Sequence, residues 1–177
     1  LPLLPREVLM NVKLSFTPVS QNPVDLLAVV LDDEKTLHEI DDPALQAHVQ
    51  RAAAAFRDKS LKREYYATLE GSKVAKAVVV YWSPQLESWN LWENLKTFTA
   101  RALRLARDYR LARTGLVLNA KDAAPLVGKA VEGAVLGTYT FDKYRQEKDE
   151  FFAKEAVLTI LAHPDHQADA EARKARY

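Results

Sequence analysis

The chain has 177 residues, 48% of them apolar and 28% charged, which suits one ordinary globular domain and excludes a wholly disordered chain. Lys and Arg number 25 against 24 Asp and Glu, a formal net charge of +1, so a global field of the histone-like or strongly acidic kind is excluded and any nucleic-acid footprint has to be local. The absence of cysteine excludes a disulfide scaffold, a Cys-ligated zinc site and a thiol nucleophile together.

The start, Leu1-Pro-Leu-Leu-Pro5, is too short and too broken by proline for a signal h-region, and residues 1–11 read as an extension. Val12, Leu14 and Phe16 alternate with Lys13, Ser15 and Thr17. Period two predicts a strand with one wet face, ending near Pro18. After the turn residues Gln21 to Val24, the run Leu26 to Leu31 is apolar at every position, the pattern of a strand buried on both faces. Asp42-Pro43 predicts an N-cap followed by proline in the first helical turn, and Leu45, Val49, Ala52, Ala53 and Phe56 continue at helical spacing. Glu64 to Leu69 reads as a strand, Gly71-Ser72 as a turn, and Val74 to Tyr81 as a second strand buried on both faces.

The next helix carries Leu91, Leu95, Phe98, Ala102, Leu105 and Tyr109 as one apolar stripe. Leu116 to Leu118 is a short strand. A helix is expected from about Asp122 to Leu136, a last strand over Ala156 to Leu161, and a polar helix over Asp165 to Tyr177. The order β-β-α-β-β-α-β-α-β-α predicts an α/β fold. Two strands buried on both faces require helices on both sides of the sheet, and adjacent strand pairs predict that part of it is antiparallel.

Chemistry is sparse. Neither turn after a doubly buried strand, Leu31-Asp-Asp-Glu34 or Tyr81-Trp-Ser-Pro84, holds the glycine that lets backbone approach phosphate. Gly128, Gly133 and Gly137 recur along one predicted helix, where glycine costs up to about 1 kcal/mol; close approach to another backbone explains them better than a ligand. His38, His48, His163 and His166 show no metal-binding spacing. Asp32-Asp33 and Asp41-Asp42 sit where capping aspartates belong. Arg101, Arg104, Arg107, Arg110 and Arg113 recur every third residue, which spirals around a helix by about 60° per step instead of forming a patch. Trp82, Trp89 and Trp92 suggest a satellite core or a partner contact.

The segment Val131-Glu-Gly-Ala-Val-Leu-Gly-Thr-Tyr-Thr-Phe-Asp-Lys-Tyr144 resembles the amino-terminal domain of the leucyl (cytosol) aminopeptidase family, and the order of elements agrees over nearly the whole chain. The resemblance implies a three-layer macro-domain-like fold, a mixed six-stranded sheet between helices. It also implies a division into an extension over 1–11, the macro-like domain over 12–164, and over 165–177 the start of a connector helix to a catalytic domain. In that family two divalent metals, zinc or manganese, sit in the catalytic domain and activate water for peptide hydrolysis. The signature Asn-Thr-Asp-Ala-Glu-Gly-Arg is absent here, so no catalytic, cofactor-binding or metal-binding residue is carried over. Gly133, Gly137, Tyr139, Phe141 and Asp142 carry over with a structural role only. The implied setting is a cytoplasmic homo-oligomer, a hexamer in the family, acting on peptides; no membrane is expected, and the net charge of +1 argues against strong nucleic-acid binding. The alternatives are a stand-alone macro-like module for ADP-ribose or a related nucleotide, and a nucleic-acid-binding accessory domain.

Overall fold

The computed structural model describes residues 11–31, 40–82, 88–118, 128–135 and 156–162, and Glu171 and Ala175, with backbone alone for 88–93, 118 and 162. The strands are β1 (Asn11–Ser15), β2 (Leu26–Leu31), β3 (Glu64–Thr68), β4 (Ala77–Trp82), β5 (Arg113–Leu118) and β6 (Val157–Ala162). The helices are α1 (Pro43–Arg57), α2 (Ser88–Asp108) and a segment α3 over 128–135. The six strands form one sheet in the order β1-β6-β5-β2-β4-β3.

Hydropathy separates the interior strands from the edges. β2 is buried at every position, and β4 at every position but its last, so these two runs occupy the sheet interior. β1 and β3 alternate between exposed and half-buried, and they form the two edges. The sheet is mixed, as expected, but its antiparallel part is one pair. β3 runs against β4 with Tyr66 opposite Val79, and every other pairing is parallel. The β3–β4 turn needs a left-handed residue, which Gly71 supplies at φ 76°. β1 and β2 follow one another in sequence yet do not pair. The chain crosses between them through a 3-10 turn at Val19–Gln21, and β1 lies beside β6.

Helices cover both faces, giving three layers. On one side Leu45, Val49, Ala52, Ala53 and Phe56 of α1 pack on Leu27, Val29, Leu31, Val78 and Val80. On the other, Leu95, Phe98, Ala102, Leu103 and Ala106 of α2 join Ala130, Val131 and Ala134 of α3 over Leu26, Ala28, Val30, Val79 and Tyr81. Fully burying each Leu or Val stabilises by about 1.5–3 kcal/mol. Asp42 caps α1 as expected, its carboxylate accepting from the Leu45 N–H at 3.0 Å. It also accepts from the Ser72 hydroxyl at 3.0 Å, tying the start of α1 to the β3–β4 turn.

The α2 stripe departs from its expected course. Leu95, Phe98 and Ala102 are buried, but the stripe continues through Leu103 and Ala106, leaving Leu105 half-buried and Tyr109 exposed. The helix ends just beyond this stripe. Leu111 N–H donates to Ala106 O at 2.7 Å and Arg110 N–H to Arg107 O at 3.0 Å, with Arg110 left-handed at φ 54°. This Schellman closure follows Tyr109, whose own N–H still donates to Leu105 O at 3.1 Å, and aims the chain into β5. Of the expected helix over Asp122 to Leu136 the described residues contain 128–135. Of that over 165–177 they contain Glu171 and Ala175, both helical and exposed.

Candidate functional site

In an open α/β sheet, ligands bind outside the carboxyl ends of the strands, where strand order reverses. Here β2 leads through α1 toward β3 and β4, whereas β4 leads through α2 back across β2 to β5. The crevice to inspect therefore lies at the ends of β2, β4 and β5. The described side chains there are apolar or aromatic. Val30, Leu31, Tyr81 and Val117 are buried, and Trp82 is half-buried, its ring stacked on Phe56 at 5.4 Å and 11°. Tyr81 stacks on Phe98 at 4.7 Å and 4°. Its hydroxyl is buried with no hydrogen-bond partner among the described residues. Desolvation, with Glu64 nearby, pushes its ionisation far above the ordinary tyrosine range against a smaller opposing effect of Arg101. Such a phenol stays protonated and cannot serve as a base at neutral pH.

The buried charge lies at the opposite, amino end of the sheet. Asp25 precedes β2, and its carboxylate accepts from the Arg113 N–H at 3.0 Å and the Arg113 guanidinium at 3.3 Å. The Lys76 ammonium stands 3.4 Å away. The Asp25 backbone completes the clamp, its N–H donating to Arg113 O at 2.8 Å and its carbonyl accepting from the Lys76 and Ala77 N–H groups at 3.0 Å. Burial alone would raise the Asp25 pKa, but the Arg113 bonds and the two cations outweigh it and hold the carboxyl below its ordinary value. One carboxylate thus fixes the starts of β2, β4 and β5, which is structural work.

The other sequence candidates sort in the same way. Asp41 accepts from the Ser20 N–H at 3.0 Å and from the Ser20 hydroxyl. Desolvation opposes the Asp41 charge, and the Ser20 bonds more than compensate, lowering the pKa. His48 Nδ1 lies 2.8 Å from the Tyr65 hydroxyl, bridging α1 and β3. Gly133 is where α3 meets α2. A Cβ there would stand 2.4 Å from Lys96 O and 2.9 Å from Thr99 Cβ, so only glycine fits, and close backbone approach is its role. The arginines do not form a series on one helix. Arg104 is exposed on α2, and the Arg107 side chain is only 13% exposed and bonds Asp108 at 3.1 Å. Arg110 is the left-handed cap, and Arg113 belongs to β5 and to Asp25. Asp32, Asp33, His38, His163, His166, Gly137, Tyr139, Phe141, Asp142 and the side chains of Trp89 and Trp92 lie outside the described residues.

Among the described residues, no group of three or more His, Asp or Glu side chains is placed to hold a metal ion. They therefore do not fit the metal pair that the resemblance implies for a catalytic domain. No helix among them is long and apolar enough to cross a membrane. The Asp25 clamp is the functional-looking cluster that the sequence pattern does not reveal. Its only sequence signal is an acidic residue immediately before a doubly buried strand.

No family model matches the sequence, and no curated protein matches it. Solved structures do. A macrodomain of Oceanobacillus iheyensis with MES bound superposes with a TM-score of 0.59 at 10% identity, over 93% of this chain and 89% of that one. The macrodomain of ganglioside induced differentiation associated protein 2 gives 0.56 at 15%, over 97% and 86%. The fold is macrodomain-like. A mutant of tomato leucine aminopeptidase gives 0.53 at 17%, and there this chain, matched over 93% of its length, spans 35% of the enzyme. The macrodomain-like sheet thus occurs both as a nearly complete domain and as a third of a peptidase.

Proposed function

We propose that this chain is the non-catalytic amino-terminal domain of a two-metal leucyl aminopeptidase, an enzyme that removes N-terminal amino acids from peptides. The observation that carries the reading is Gly133. It opens the Gly-x-x-x-Gly-x-Tyr-x-Phe-Asp part of the aminopeptidase-like segment. In the structure it is the contact that lets α3 lie against α2, the structural role the resemblance assigns to it. The similarity to the tomato enzyme over 93% of the chain agrees. The domain then contributes to oligomer assembly and to access to a chamber of active sites. The zinc or manganese pair belongs to the catalytic domain, and the setting is cytoplasmic.

A second reading is a stand-alone macro-like module for ADP-ribose or a related nucleotide. It is favoured by the match to 86–89% of the length of the two macrodomains. Against it stand the apolar and aromatic carboxyl ends of β2 and β4 and the lack of glycine in Leu31-Asp-Asp-Glu34 and Tyr81-Trp-Ser-Pro84, where a phosphate needs close backbone approach. The arginine series behind a nucleic-acid role is reduced to Arg101, Arg104 and Arg107 of α2, with Arg110 a helix cap and Arg113 a clamp partner.

Two measurements on the purified chain test the proposal. Incubation with leucine p-nitroanilide, with and without Mn or Zn, should release no amino acid. Calorimetric titration with ADP-ribose should show no binding in the micromolar range. Metal-dependent turnover would place catalysis in these residues, and micromolar ADP-ribose binding would favour the second reading.

A further inference from the structure

β3 is an edge strand whose open side shows self-complementary chemistry. In the β3–β4 ladder, Trp82 N–H donates to Arg63 O at 3.0 Å and Leu69 N–H to Lys76 O at 2.8 Å. Hydrogen-bonded pairs alternate along an antiparallel ladder. Residues 63, 65, 67 and 69 therefore turn their backbone polar groups toward β4, and Glu64, Tyr66 and Thr68 turn theirs outward, where the sheet has no further strand among the described residues. The side chains of those same three residues are exposed. Tyr66, 37% exposed, stacks at 5.6 Å on Tyr109, 59% exposed, and these are the exposed large hydrophobic residues among those described. An unpaired edge with an aromatic patch beside it is a template for another strand.

We propose that β3 is a homotypic docking edge, on which two copies of this chain pair antiparallel about a two-fold axis through Tyr66. The two-fold places Tyr66 opposite Tyr66 and Glu64 opposite Thr68. All are outward-facing positions, so every outward N–H and C=O of the strand meets a partner. The flanking charges single out a second copy as the occupant. Just beyond the strand ends, the same register sets exposed Lys62 of one copy opposite exposed Glu70 of the other, twice by symmetry. Opposite charges directly across antiparallel strands attract and like charges repel, and an isologous interface requires such self-matching. On the same face, the Tyr66–Tyr109 stacks of the two copies abut. Two six-stranded sheets become one continuous sheet. Nothing in this pairing depends on the aminopeptidase reading.

Sedimentation equilibrium of the full chain tests it through a charge swap. Lys62→Glu and Glu70→Lys each set like charges opposite one another, and each should weaken the dimer about tenfold. The double variant Lys62→Glu/Glu70→Lys should restore it. All these positions are exposed, so a thermal melt followed by circular dichroism, at a concentration where the chain is monomeric, should be unchanged. Hydrogen exchange gives an independent readout. The amides of Glu64, Tyr66 and Thr68 should gain protection as protein concentration rises, while those of Tyr65 and Ala67 stay protected throughout. A wild-type chain that stays monomeric, a dimer indifferent to the single swaps, or a double variant as weak as the singles overturns the proposal.

Discussion

Asp25 shows how one side chain can set a sheet. It draws the starts of three parallel strands to a single carboxylate, and its principal partner, Arg113, is 88 residues away. Its folded pKa is depressed. Its contribution is therefore full above the unfolded aspartate value near 3.9 and is lost as pH falls through the lower folded value. Asp25→Asn keeps an acceptor but loses the charge facing Arg113 and Lys76. The variant should be about 1.5–3 kcal/mol less stable near neutral pH, the range for a hydrogen bond to a charged group. The deficit should shrink as wild-type Asp25 protonates, so urea midpoints of the two proteins should converge in acid. A deficit constant from neutral pH down to full protonation would place the effect in packing instead of charge. The clamp is not legible in the sequence because the three-residue spacing of the arginines continues past the end of α2 at Asp108. Periodicity alone assigns Arg113 to a helix, whereas the left-handed Arg110 has already closed it.

Segments whose local patterns agree with their surroundings are readable from the chain. The continuous apolar run of β2, the Asp42-Pro43 start of α1 and the Gly71 turn appear where the sequence predicts them, and β4, expected over Val74 to Tyr81, spans Ala77–Trp82. Strand order is not readable, because pairing joins residues far apart in sequence and local period carries no register. Adjacency suggests neighbours, yet β1 and β2 are separated by β6 and β5. The packing of α3 on α2 lies between these cases. Glycines in a helix signal that something comes close, and the structure shows that it is the backbone of α2 at Lys96. Gly133→Ala would gain up to about 1 kcal/mol of helix propensity. The Cβ would meet a carbonyl oxygen that cannot swing aside, an overpacking cost of about 1–3 kcal/mol. Denaturant unfolding should show a net loss, up to about 2 kcal/mol once the propensity gain is subtracted. A variant as stable as the parent would mean that the two helices separate freely, and the structural role of the motif glycine would fall with it.

The molecule as a whole places its buried charge at the amino end of the sheet and apolar and aromatic side chains at the described carboxyl ends. The layered architecture can be argued from two doubly buried strands and the helices they demand. A site cannot be argued from the sequence, because the side chains that carry chemistry are scattered along it, and the structure brings Asp25, Lys76 and Arg113 together as a clamp. The measurement that tests the functional proposal most directly is the reading frame downstream of Tyr177. The proposal predicts that it continues into a segment carrying Asn-Thr-Asp-Ala-Glu-Gly-Arg, the metal-binding signature of the catalytic domain. A stop codon directly after Tyr177 would contradict it and make ligand binding by the macrodomain-like sheet the leading account.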